Sequence, residues 1–314
     1  MASRLGVKLT AVTGLILMAV ATLAFGLADS AWVLVFLRFL GGVGSALSWV
    51  AAFTWLVRRA PEERRGELIG VMLSAAVFGA LLGPVLGSIA ATVGIFPAFT
   101  VVATVGVLIA VWAAVEPAPD VIERQSLIGS LHTIWQPQLL IGLWFITLSP
   151  LIFAAVAVLV PLELNSLGWG AAAVGAVFLT SAAFESAVHP LLGRWSDRVG
   201  YRLPILVGLT ASISILIVLS LASGPWLLAA LVVLAAGAFN ATLVPGTALF
   251  SRGTERAGLD QAIAFAVTNF AWASGYAVGA PLGGALADVG GDALSYLVLT
   301  VFCLMTLLLL RRVK

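Results

Sequence analysis

Of the fourteen acidic residues in this 314-residue chain, only Glu185 lies well inside a long apolar run. A carboxyl carried into a bilayer without a paired cation favours its neutral form, so Glu185 can load and release a proton near neutrality. His189 follows at i+4 on the same helical face, and Pro190 leaves the Ser186 carbonyl without its helical donor. Proton transfer is the chemistry such a group can perform; the competing reading is a hydrogen-bonded cluster bracing the segment beside it. Arg38 lies about 10 Å along a helix from the outer end of its own apolar run, where it either marks function or extends to the surface. Asn240 and Asn269 also fall inside apolar runs, and an amide there is either helix–helix glue or a substrate contact. Trp272, near mid-run, can stack on an aromatic or cationic substrate. No Ser/His/Asp set, His/Asp cluster or phosphate-binding glycine loop appears, so neither an enzyme, a cofactor nor a metal site is expected. Cys303 is the single cysteine, which excludes an intramolecular disulfide.

The elements that must hold these residues follow from composition. With 61% hydrophobic and 10% charged residues, and a mean hydropathy of +1.13, the chain lacks the polar groups to cover a soluble surface. It reads as an all-α integral membrane protein. Ten runs are long enough to span a bilayer as helices: 9–28, 31–57, 68–93, 95–115, 138–162, 170–192, 203–222, 226–250, 260–287 and 293–310. One long polar interval, "EPAPDVIERQSLIGSLHTIWQP", separates the fourth run from the fifth. The organisation is therefore a four-span part (1–116), a central linker (117–137) able to form an amphipathic surface helix, and a six-span part (138–314). A formal charge of +2 with no basic stripe argues against a nucleic-acid partner. Fifteen of the sixteen Lys and Arg fall on one side of the ten-span weave, and the opposite loops carry Asp29, Glu163, Asp288 and Asp292. Basic loops stay cytoplasmic, so both termini are expected inside.

The chain also repeats. Arg4, Gly6, Lys8 and Leu9 match Arg198, Gly200, Arg202 and Leu203; Gly44, Arg59 and Glu62 match Gly237, Arg252 and Glu255. Gly79, Gly83, Gly87 and Gly94 match Gly275, Gly279, Gly283 and Gly290. The offsets agree to within three residues and keep their order, which identifies a tandem duplication of a multi-span unit. Two spans precede Asp197, whereas two residues precede its counterpart Ser3, so a six-plus-six plan stands here as four plus six.

These motifs bring a family into view. "GRWSDRVGYR", Gly193 to Arg202, resembles the G-x-x-x-D-R-x-G-R-[RK] loop motif of the major facilitator superfamily. The resemblance covers the whole chain as helices 3–12 of a twelve-helix, two-half fold. In the motif Gly193 and Gly200 permit a tight turn, Asp197 can face a neighbouring helix N-terminus, and Arg194, Arg198 and Arg202 anchor the turn at the headgroups. Ser3 replaces the aspartate in the first copy, which weakens the matching latch there. "GALLGPVLGS" is similar to the antiporter motif of drug/proton exchangers: Gly79, Gly83 and Gly87 form a smooth stripe, and Pro84 can bend the helix. "RFLGGVGSA" is similar to the family's R-x-x-x-G-x-G motif, whose arginine, here Arg38, is implicated in proton coupling.

The resemblance implies a secondary transporter that rocks two halves about a midplane cavity. The favoured expectation is proton-coupled efflux of a small amphipathic compound, as a monomer in a bacterial-type inner membrane. The alternatives are an uptake symporter for a small metabolite and a truncated, non-transporting membrane protein. The expected partners are a small-molecule substrate, the proton and the lipid bilayer.

Overall fold

The computed structural model describes residues 6–117 and 132–312, and the described elements are helical throughout. In order they are α1 (Val7–Phe25), α2 (Ala31–Arg59), a 3-10 turn (Glu62–Arg64), α3 (Arg65–Val93), α4 (Ile95–Val115), α5 (Pro137–Ser166), α6 (Ala171–Val199), α7 (Arg202–Leu221), α8 (Pro225–Arg256) and α9 (Gln261–Arg312). Among the described residues, eight helices are long and apolar enough to cross a bilayer. Every apolar run of the sequence is helical. The last two form one continuous element, α9, broken at Gly290 (φ −141°, ψ 18°) and Gly291 (φ 76°, ψ 170°), so ten helical arms result. The linker reading falls largely on residues 118–131, and the Ser3 reading on residues 1–5, which lie outside the described residues.

The helices outrun the apolar segments on the charged side. α6 continues through Gly193, Arg194, Trp195 and Asp197 as far as Val199, and the chain turns only at Gly200, whose φ of 82° suits glycine. Nothing between 193 and 199 breaks a helix, and charged residues are good helix formers once outside the hydrocarbon. The expectation that Gly193 helps make the turn is therefore corrected: Gly193 is helical.

The described chain divides into two compact units. One contains 1–60, 82–135 and 254–269; the other contains 61–81, 136–253 and 270–314. In the first, α1 crosses α2 at Gly14 and Gly44, where a Cβ on Gly14 would come 2.7 Å from the Gly44 carbonyl oxygen. Phe25 stacks on Phe99 with ring centroids 5.6 Å apart. In the second, the repeat of that crossing appears between α7 and α8, where Gly208 lies against Ala238 and Ala241. The tandem duplication is thus carried into packing.

At the centre of the second unit, α5 presses on two glycine-bearing helices. Gly246 and Gly253 of α8 receive Phe145 and Leu139, while Gly275, Gly279 and Gly283 of α9 lie against Thr147, Leu151 and Ala155. A Cβ at Gly279 would meet the Leu151 carbonyl oxygen at 2.1 Å, so these backbones approach as only small residues allow. The matching first-copy stripe begins at Gly79 on α3, which has open space around it. Gly83, Pro84 and Gly87 continue α3 as helix, and their surroundings lie outside the described side chains.

Candidate functional site

Two helices of the second unit build the site on the charged side: the start of α3 and the end of α6. Gly66, Gly70 and Ser74 recur at i, i+4 and i+8 and give α3 a smooth face. Against it lie Gly193, His189 with Pro190, and Ser186 of α6. A Cβ on Gly193 would meet the Gly66 carbonyl oxygen at 2.1 Å, and one on Gly70 would meet the His189 carbonyl oxygen at 2.4 Å. The Ser186 hydroxyl donates to the Ser74 carbonyl at 3.1 Å, and the Ser74 hydroxyl donates to the Ser186 carbonyl in return. Gly193, read from sequence as a turn residue, is there because a side chain would push the helices apart.

This approach delivers Asp197 to the α3 N-terminus. Its Oδ2 accepts from the Glu67 amide at 2.9 Å and its Oδ1 from the Gly66 amide at 3.1 Å. The first amides of a helix have no intrahelical acceptor and carry its positive partial charge, so a carboxylate there satisfies both needs. Arg252 of α8 donates to Oδ1 at 2.7 Å, and the Asp197 side chain is only 5% exposed. Asp197 thus faces the first amides of a neighbouring helix.

Beside it, Glu67 accepts from Arg64 at 3.1 and 3.0 Å and from Arg194 at 2.9 Å. Glu67 stands ahead of the apolar run of α3, and these hydrogen bonds, Arg64's first, hold its carboxyl down at about 2. Glu63, Arg64, Glu67, Arg194, Asp197 and Arg198 line a shallow cavity of about 350 Å³. Gly200 supplies the turn, and Arg202 donates to the Leu310 carbonyl at 3.4 Å near the C-terminal end of α9.

About two to three turns back along α6 from Asp197, Glu185 and His189 come together as their spacing implies. Glu185 Oε1 lies 3.4 Å from His189 Nε2, an electrostatic contact outside hydrogen-bond geometry, so both ring nitrogens of the buried histidine lack a hydrogen-bond partner. Asn240 of α8 lies beside both groups, and its Nδ2 donates to the Ala236 carbonyl at 2.8 Å. The three therefore form one polar cluster next to the α3–α6 crossing.

The remaining sequence candidates stand apart from it. Arg38 is exposed on α2, and Asn269 is half-buried on α9 within the other unit. Trp272 is 43% exposed and stacks on Tyr276, with ring centroids 5.4 Å apart and planes at 26°. Sequence reasoning missed Gly66, Gly70, Ser74 and Glu67, and used Arg252 as a repeat marker and a basic loop residue without a partner assigned to it. The small-residue spacing 66/70/74 was a readable signal, whereas the arginine's partner was not.

A bundle of long apolar helices in two tandem copies, with charged latches at helix starts, defines a class of polytopic membrane protein. The sequence model of the Major Facilitator Superfamily matches residues 1–163 and again 142–314, and the chain belongs to that family. The structure resembles the human organic anion transporter MFSD10 (TETRAN), with a TM-score of 0.83 and 14% identity over 98% of this chain and 78% of that one. It also resembles the E. coli fucose:proton symporter FucP, with a TM-score of 0.76 and 14% identity over 99% and 84%. In sequence it is 30% identical over 132 residues to the "Probable vesicular acetylcholine transporter-B" of Danio rerio. It is 31% identical over 147 residues to the vesicular acetylcholine transporter of Drosophila melanogaster. Those matches cover 42% and 45% of this chain and 26% and 25% of the relatives, so the chain aligns with about a quarter of each.

Proposed function

We propose that the chain is a proton-coupled secondary transporter that exports small amphipathic compounds by alternating access. It would work in a bacterial-type inner membrane with both termini in the cytoplasm. The observation that supports this reading is the placement of Glu185 and His189, 3.4 Å apart, on the same stretch of α6 that crosses α3. To open the charged side, α3 and α6 must part, which breaks the Asp197 bonds to the α3 amides and the paired Ser74 and Ser186 bonds. Parting also exposes Glu185 to water, so its proton occupancy and the opening are linked through one helix contact. Small residues at that contact let it form and break as a whole rather than by side-chain repacking.

The test uses the purified chain in proteoliposomes with a fluorescent amphipathic cation inside and an imposed proton gradient. Glu185→Gln keeps the shape and most hydrogen bonds but fixes the neutral state, so substrate binding survives while proton-driven net export stops. Proton-driven export that persists in this variant eliminates Glu185 as the carrier. Net accumulation driven by the same gradient reverses the direction and makes the protein a symporter.

A further inference from the structure

At the charged end of the second unit, the start of α5 and the end of α9 leave a groove of about 260 Å³ between them. Ile141, Trp144 and Phe145 of α5 and Thr306, Leu309 and Leu310 of α9 line it. Phe145, Thr306 and Leu310 are buried, whereas Trp144 and Leu309 are exposed at the rim. The Trp144 indole N–H donates to the Thr306 hydroxyl at 2.9 Å, and that hydroxyl donates to the Phe302 carbonyl at 2.7 Å. This relay satisfies the polar atoms of the walls and ties the indole to one side, so the groove is preformed and apolar inside. Its exposed rim belongs to apolar runs, so it opens toward hydrocarbon. It is smaller than the roughly 300–1,000 Å³ of a drug-sized pocket, and a single acyl chain is the occupant that its size and lining admit.

A cation at its mouth distinguishes this groove from an ordinary lipid-facing surface. Arg202, the first residue of α7, is exposed, and its Nη2 donates to the Leu310 carbonyl at 3.4 Å. Leu310 is both a wall of the groove and one of the last four residues of α9, whose carbonyls look outside the helix for donors. That bond fixes the guanidinium beside the groove and uses one of its five donors. Arg58, Arg59, Arg64, Arg194 and Arg252 each pair with a carboxylate, whereas among the described residues Arg202 pairs with none. Nor can its neighbourhood offer one: residues 137–162, 198–254 and 293–314 contain no Asp or Glu. Those stretches hold the whole of α7, the second arm of α9 beyond Asp292, and α5 as far as Leu162. Asp197, the nearest acid before Arg202, is committed to the α3 amides and Arg252.

We propose that this groove binds an anionic phospholipid of the leaflet on the charged side, with one acyl chain between α5 and α9 and the phosphate on Arg202. An arginine fork matches two phosphate oxygens, and basic sites between helices at a membrane face take anionic headgroups. A free phosphate would leave the apolar groove empty, and a zwitterionic lipid brings its own cation to the same phosphate. Bound there, the lipid links the starts of α5 and α7 to the end of α9.

The experiment is tryptophan quenching in the purified full chain reconstituted in phosphatidylcholine vesicles. A minor fraction of the host lipid is replaced by phosphatidylglycerol, or by phosphatidylcholine, carrying bromine on its acyl chains. The Trp144 signal is the difference between the native chain and Trp144→Phe. Brominated phosphatidylglycerol should quench it more strongly than brominated phosphatidylcholine at equal fraction. Arg202→Gln should cut that preference about fivefold, the effect of one basic residue at an anionic membrane surface. Ile141→Phe, which adds bulk inside the groove and leaves Arg202 in place, should lower it as well. Thermal unfolding midpoints in detergent report that each variant folds, and added NaCl should weaken the preference in the native chain itself. Equal quenching by the two lipids means annular lipid only and overturns the proposal. A preference that survives either substitution, or is indifferent to salt, also overturns it. Transport is not part of the readout, so the result stands apart from the fate of Glu185.

Discussion

The starts of α3 and α9 face the same physical problem and solve it differently. Each leaves a first turn of unpaired amides on the charged side. At α3 the carboxylate comes from another helix, as Asp197 of α6, and Arg252 completes it from α8. At α9 the carboxylate belongs to the helix itself: Asp260 accepts from the Ala262 amide at 2.7 Å in N-cap fashion, and Arg58 of α2 approaches it to 3.3 Å. The side chains of the Arg58–Asp260 pair are 9% and 1% exposed, against 25% and 5% for Arg252 and Asp197. The start of α9 thus obtains its carboxylate in cis. One helix start is bound across a contact between helices; the other is capped by its own chain and more deeply buried.

The comparison breaks most readily at Asp260. Asp260→Asn keeps a good cap but removes the charge facing a buried guanidinium, so a stability loss of about 3–5 kcal/mol is expected. Denaturant unfolding in detergent measures it, and a loss no greater than that of Asp197→Asn would contradict the stronger hold of the more deeply buried pair. Next comes Gly193→Leu, which overpacks the α3–α6 crossing and should cost about 1–3 kcal/mol of the closed arrangement. Gly79→Leu, with open space around it, serves as the contrast and should cost much less. The pair is read by disulfide trapping of cysteines placed at 66 and 193 neighbours, in a Cys303→Ser background.

Asp197→Asn should weaken the α3 latch by about 1–3 kcal/mol while leaving overall stability nearly intact. Labelling of single cysteines from either face then shifts; unchanged labelling on both faces would show that the latch does not govern opening.

The smallest effect concerns pH. Glu67 titrates near 2 when folded and near 4.5 otherwise, so its contribution is full above the ordinary value and is lost as pH falls from about 4.5 toward 2. The difference in unfolding midpoint between the native chain and Glu67→Gln should be flat above pH 5 and shrink below it. A difference that changes between pH 6 and 8 would place the titrating group elsewhere.

Apolar length and turn glycines carried much of the fold in plain view. The ten runs became ten helical arms, and the α1–α2 crossing at Gly14 and Gly44 has a counterpart in the α7–α8 crossing at Gly208, while Gly237, the repeat partner of Gly44, faces Phe184 of α6. For the same reason Glu185 and His189 could be paired from their i, i+4 spacing, since helical geometry is local. The motif aspartate was readable too, because an acid in that loop has few better partners than a helix start.

What sequence spacing could not supply was the identity of partners distant along the chain. Asn240 joins Glu185 from 55 residues away, and Arg252 joins Asp197 from the same distance. Gly193 changed meaning altogether, from turn residue to contact point, once α6 ran on to Val199 and met Gly66. Hydrophobic length and local periodicity act within one helix and are written in its own residues, so the chain's sequence determined its membrane-spanning helical class and its repeat. Which faces meet is decided by the shapes of small-residue stripes packing against one another, a property of pairs of helices that exists only in the folded molecule.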